Sequence, residues 1–242
     1  MCFSAQASFA AGAVLLPAGA YCVRAAVRKN LRYLPLGLVP LAFGAQQIDE
    51  GLVWLGLEQG NGPLVQWGSA VFLFFALAFW PFWIPFSLWF PETRRAGKRL
   101  LAGLTVLSLV WVWLYFPVAV EPGRWLSTEI RSHSVRYEFD NLPGFQVVPR
   151  GVWRGAYLLA ICVPLLTCRP VPGEASPVWL AGGALVAVLF AVSYFVFWYA
   201  FTSVWCFFAA LLSLFLCLAF RRLPPAGTVT ASPEPSAGPT AP

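Results

Sequence analysis

The sequence predicts an all-α fold: a polytopic transmembrane helix bundle of seven spans, N-terminus outside and C-terminus cytoplasmic, with a small external hairpin-like loop. Three observations predict it. Of 242 residues, 59% are hydrophobic and only 11% are charged, whereas an ordinary soluble domain carries about 25% charged residues. Lipid, not water, is the expected solvent for such a surface. Seven stretches approach the length of about 20 apolar residues that a bilayer core demands, at 4–23, 34–57, 67–90, 100–118, 151–168, 178–198 and 201–220. The basic residues gather in short clusters between these stretches, so the net charge of +6 reads as membrane topology and not as a nucleic-acid surface.

The elements follow in order. Stretch 4–23 carries no charge before Arg24, so it lacks the basic leading region of a secretory signal and reads as a retained span. Positively charged flanks stay cytoplasmic, and under an N-out arrangement the inner flanks hold Arg24, Arg28, Lys29, Arg32, Arg94, Arg95, Lys98, Arg99, Arg169, Arg221 and Arg222. The outer side holds Arg124, Arg131, Arg136 and Arg150, all in one loop, and Arg154 lies inside a span. Prolines 17, 35, 40, 81, 85 and 164 fall within spans, where neighbouring helices satisfy the freed carbonyls, so they imply kinks. The turn between the last two spans, 198–203, has little polarity, and a six-span alternative survives there.

The outer loop, 119–150, alternates Val135, Tyr137 and Phe139 with Ser134, Arg136 and Glu138, then runs through Asn141-Leu-Pro-Gly144 into Phe145-Gln-Val-Val148. That pattern reads as strand, turn, strand. Residues 1–222 thus form the bundle, and 223–242, rich in Pro, Ala, Thr and Ser, read as a disordered cytoplasmic tail. Trp67, Trp125, Trp153, Tyr157 and Trp198 near the outer boundary, with Trp89 and Tyr33 near the inner one, read as interfacial anchors.

The second stretch carries the strongest functional signal. It places Gln46, Gln47, Asp49 and Glu50 inside an otherwise apolar run, where a charge at the helix centre costs about 2.5–3.5 kcal/mol on insertion scales. At roughly 100° per residue, Gln46, Gln47, Asp49 and Glu50 cover one half of the helix, with Phe43 and Trp54 on the same stripe and Asp49 at its edge, where it could face away from the pocket centre. Glu50 sits roughly 10 Å below the outer end of the span. Ser4 and Ser8 on the first span and Arg154 on the fifth lie at a comparable level, and Arg154 is the expected charge partner. Two readings stand: a buried Glu50–Arg154 pair that fixes helix register, with the glutamines as polar glue, or a site for a small ligand or a proton.

Other chemistry is sparse. The only lysines, Lys29 and Lys98, lie outside the apolar stretches, which argues against a retinal Schiff base. His133 is the single histidine and no Cys-x-x-Cys occurs, so neither a multi-histidine metal centre nor a haem or other cofactor is expected. Of the six cysteines only Cys2 and Cys206 approach the outer face, where a disulfide could join them. Ser4, Ser8 and Gly12 repeat at four-residue spacing and permit close helix packing.

The opening MCFSAQASFAAGAVLLPAG, followed by LPLGLVPLAFGAQQIDEGLVWLGL, resembles a mainly bacterial family of integral membrane proteins that begin MCFSA-x-ASF and are catalogued as a domain of unknown function. The residues that carry the resemblance are Cys2, Phe3, Ser4, Ser8, Phe43, Gly44, Gln46, Gln47, Glu50, Gly51 and Trp54. Asp49 departs from the pattern, which usually has an apolar residue there. The resemblance implies no substrate, but it suggests that the amino end and the Gln-Gln-x-x-Glu stripe act as one site.

The functional expectation is a multi-pass protein of the cell membrane, by resemblance the bacterial inner membrane. Its candidate ligand-binding residues are Gln46, Gln47, Glu50, Trp54, Arg154, Cys2, Ser4 and Ser8, serving a sensor, receptor or carrier. Two alternatives remain open. An intramembrane enzyme could use Cys2, exposed by removal of Met1, as nucleophile with its own amine as base, and an accessory subunit would offer the stripe to a membrane-protein partner.

Overall fold

The computed structural model describes residues 4–131, 133–168, 175–197 and 200–223. They are mostly helical, and seven long helices account for the bundle: α1 (Ala5–Lys29), α2 (Val39–Gln59), α3 (Gly62–Trp89), α4 (Arg95–Val120), α5 (Arg150–Thr167), α6 (Ala175–Val196) and α7 (Phe201–Arg221). Five of them, α1, α3, α4, α6 and α7, contain stretches long and apolar enough to cross a membrane. The other two are those that the sequence loads with polar groups, Gln46 to Glu50 in α2 and Arg150 and Arg154 in α5.

Glycine sets the closest packing. Down the α1–α2 seam, Phe9 meets Gly51, Gly12 meets Ile48, Leu16 meets Gly44 and Gly19 meets Leu41, so the two helices run antiparallel over this length. A Cβ at Gly19 would stand 2.6 Å from the backbone nitrogen of Leu41, and one at Gly12 would stand 2.6 Å from Ile48 Cδ1. Small residues let helix backbones approach where lipid supplies no hydrophobic drive for association. Helices α6 and α7 form a second antiparallel pair, with Gly182 against Phe215, Phe190 against Trp205 and Tyr194 against Phe201. They are two elements and not one continuous helix, although 198 and 199 in the connection lie outside the described residues.

Prolines divide into two kinds. Pro35 and Pro40 stand in the first turns of helices, where their missing N–H costs nothing, so the predicted span 34–57 begins as two pieces, Leu34–Gly37 and α2. In α3 the chain is π-helical over Phe74–Phe79, just before Pro81. Pro85 then removes the N–H that would serve the Pro81 carbonyl. Ser108 Oγ, from α4, supplies a donor to that carbonyl at 2.6 Å, a neighbouring helix repairing a proline defect.

The external hairpin differs in register from the expectation. Strands β1 (Ser127–Arg131) and β2 (Ser134–Glu138) pair antiparallel, while the predicted second strand is a short helix, Pro143–Val147. Proline at the first helical position favours that outcome. His133 takes the left-handed φ of 59° in the two-residue connection, as such tight hairpins require. Glu129 faces Arg136 across the strands at 3.4 Å, and the hairpin sits on α3 through Tyr137 stacked on Phe72 and Thr128 Oγ1 donating to Ser69 Oγ at 2.8 Å.

At the opposite end, basic side chains close helix C-termini. Lys29 Nζ donates to the carbonyls of Phe220, Arg221 and Leu223, so buried Leu223 belongs to the bundle and not to the expected tail, whose residues 224–242 lie outside the described ones. Arg94 donates to the Thr167 carbonyl at 2.7 Å and pairs with buried Glu92 at 3.0 Å. The expected anchors also divide: Trp67 and Trp89 are exposed, but Tyr33, Trp153 and Tyr157 are buried.

The seam yields a prediction. Gly19→Ala should destabilise the protein by about 1–3 kcal/mol through overpacking, whereas Gly103→Ala, with open space around its Cβ position, should be neutral or stabilising by helix propensity. Equilibrium unfolding of both variants in mixed micelles checks the difference.

Candidate functional site

The polar stripe of α2 faces inward. Gln46, Gln47 and Glu50 are fully buried and Trp54 nearly so. Ser203, in the first turn of α7, donates from Oγ to Glu50 Oε1 at 2.6 Å, and Gln47 Nε2 donates to Glu50 Oε2 at 3.4 Å. Trp80 of α3 grips the same stripe twice. Its ring stacks on Phe43 at 3.7 Å between centroids, and its Nε1 donates to Gln46 Oε1 at 2.8 Å. Buried Cys206, one turn beyond Ser203, lies near Gln46 and Glu50.

Other polar atoms of this cluster have hydrogen-bonding capacity to spare. Gln46 Nε2, Gln47 Oε1, Trp54 Nε1 and Ser8 Oγ are buried with no hydrogen-bond partner. A buried polar atom left unmatched costs about 1–3 kcal/mol. Gln46, Gln47 and Trp54 are on the helix that carries Glu50, and Ser8 is on α1.

The remaining predicted residues lie elsewhere. Ser4 caps α1, its side chain accepting from Ala7 N at 3.2 Å, and Cys2 lies outside the described residues. Cys206 is a free thiol among the described residues, and the possible disulfide to Cys2 falls on a residue outside them. Asp49 is half-buried and turns toward α3, its Oδ1 beside Gly68. Arg154 makes no ion pair with Glu50 among the described residues; its guanidinium stands over the Tyr194 ring at 5.8 Å. The reason is α7: Ser203 in its first turn reaches Glu50, while Thr202 and Trp205 face the space that Arg154 borders.

That space is a cavity of about 390 Å³ between the hairpin and helices α3 to α7. A smaller apolar cavity of about 100 Å³ lies among Phe43, Trp80, Trp179 and Cys206, and it shares Tyr157 and Trp205 with the larger one. Periodicity finds the stripe but neither cavity, nor the partners Trp80 and Ser203. A Thr-Ser pair in FTSVWCFF and a tryptophan ahead of a proline are the sequence signals they leave.

A family of unknown function (DUF6629) matches residues 1–231. The chain belongs to that family. Nothing among the curated proteins and nothing among the solved structures matches it. The family match takes in all seven long helices, the stripe and both cavities, so the family's defining segment is the whole bundle and not only its first two helices.

Removing one donor tests the cluster. Trp80→Phe keeps an aromatic ring for Phe43 but strands Gln46 Oε1, and should cost about 1–3 kcal/mol of stability. Trp83→Phe, which removes only a part-buried donor to the Pro35 carbonyl, should cost less in the same unfolding titration.

Proposed function

We propose that this family member is a seven-span protein of the cell membrane, N-terminus outside and C-terminus cytoplasmic, with a buried site on α2 that takes a small polar ligand or a proton. The observation that carries the reading is the set of buried, unmatched polar atoms, Gln46 Nε2, Gln47 Oε1 and Trp54 Nε1 on the helix that carries Glu50 and Ser8 Oγ on α1. A group kept only to fix helix register needs matched partners; one kept for an exchangeable occupant does not. Glu50 supplies the ionisable group, the two amides orient the occupant, and Ser203 and Trp80 hold the carboxyl and the first amide in place.

The span count rests on α2 and α5. Helix α2, 21 residues long, packs against α1 from Gly51 to Leu41 and keeps Gln46, Gln47 and Glu50 turned inward as an intramembrane helix must. Helix α5 likewise has Trp153 and Tyr157 against Trp111 of α4, and Leu165 against Gly183 of α6. Orientation rests on the clustering of Arg24, Arg28, Lys29, Arg32, Arg94, Arg95, Lys98 and Arg99 at the end away from the hairpin, the sign of a cytoplasmic face. The roles open to such a protein are sensor, receptor or carrier.

Native mass spectrometry of the wild type and Glu50→Gln, released from mild detergent, tests the ligand arm, and proton flux into pyranine-loaded vesicles tests the proton arm. The expected result is a small-molecule adduct, or a proton flux, present in the wild type and lost in the folded variant. Equal adducts and equal fluxes in both proteins would overturn the reading.

A further inference from the structure

The 390 Å³ cavity beneath the hairpin is separate from the α2 stripe and has its own chemistry. Five charged residues line it, Arg136, Arg150, Arg154, Glu138 and Asp140, and four of them are paired with one another. Arg136 pairs with Glu138 and also reaches Glu129 at 3.4 Å; Arg150 pairs with Asp140 at 2.6 Å. Arg154 has neither an ion-pair partner nor a hydrogen bond among the described residues, and its one contact of this kind, the Tyr194 face at 5.8 Å, lies near the outer limit for a cation–π interaction. The lining therefore carries one surplus positive charge, on a side chain whose planar fork fits a carboxylate or phosphate.

Much of the remaining lining is aromatic. Trp111, Trp153 and Tyr157 form one cluster, with Trp111 at 5.9 Å from Trp153 and 6.4 Å from Tyr157 in edge-to-face contact. Phe190, Phe201 and Trp205 form a second, with Phe190 at 5.2 Å from Phe201 and 5.0 Å from Trp205. These mutual contacts fix the rings before any ligand arrives. The volume falls in the range of small-molecule sites, which are apolar pockets with few oriented polar groups.

We propose that this cavity binds an amphipathic monoanion, its anionic head on Arg154 and its apolar body against the two aromatic clusters. Two sources share that chemistry, a free aromatic acid and an anionic lipid. The aromatic clusters suit either, since a flat ring stacks on them and an acyl chain packs against them.

The test uses the full chain in phosphatidylcholine nanodiscs, titrated calorimetrically with 1-naphthoate and with its neutral counterpart 1-naphthamide. The wild type is expected to bind naphthoate at least about tenfold more tightly, the worth of one charge-assisted hydrogen-bonded contact. Arg154→Gln is expected to lose that preference, Arg154→Lys to keep part of it, and Arg28→Gln, at the far end of the bundle, to keep it all, with melting temperatures showing that each variant folds. Repeating the titration with phosphatidylglycerol in the disc separates the sources: a weakened naphthoate affinity identifies the lipid as a competitor for the same place, and an unchanged one identifies a free acid. Equal binding of naphthoate and naphthamide by the wild type, or a preference that survives in Arg154→Gln, overturns the proposal.

Discussion

A carboxyl group and two carboxamides in the middle of one helix constrain everything around them. Buried away from water, Glu50, Gln46 and Gln47 must find their hydrogen bonds inside the protein. Helix α2 is therefore wrapped. The glycine seam brings α1 within backbone contact on one side, Trp80 of α3 stacks on Phe43 and serves Gln46, and Ser203 of α7 reaches Glu50 from another. Two of these helices, α3 and α7, are held by contacts to the stripe, and α1 by the glycine seam on another face of α2.

The first turn of α7 is where the constraint becomes a division of labour. Ser203 looks toward Glu50 while Phe201, Thr202 and Trp205 look into the cavity under the hairpin. Because Ser203 serves Glu50, Arg154 is not spent there and keeps its charge for the cavity. At the far end, Lys29 and Arg94 close the termini of α7 and α5 through carbonyl contacts. Part of the basic cluster that points to a cytoplasmic face thus has a second task in the fold.

The sequence made the helices and the stripe legible because both are local properties. Apolar runs mark the long helices to within a few residues, and helical angles group Gln46, Gln47 and Glu50, which are all buried, while Asp49 at the edge of that group is half-buried. What failed was relational. Arg154 stands at the depth expected for a partner of Glu50, but depth says nothing of which helix lies between them. Trp153 and Tyr157 have the composition of interfacial anchors, yet they turn inward to wall a cavity. The hairpin register slipped because Val135, Tyr137 and Phe139 announce a strand more strongly than its true partner, the polar Ser127–Arg131, does. Trp80 and Ser203 were invisible, since a partner supplied by a distant helix leaves no periodic trace.

A double-mutant cycle on Glu50→Gln and Ser203→Ala, measured by unfolding in mixed micelles, tests most directly whether the buried carboxyl group fastens α7 to α2. Residues that share one hydrogen-bond network couple by about 0.5–3 kcal/mol, and the account predicts a coupling in that range. Strict additivity of the two substitutions would contradict it, because Glu50 would then not be what holds α7 against the stripe.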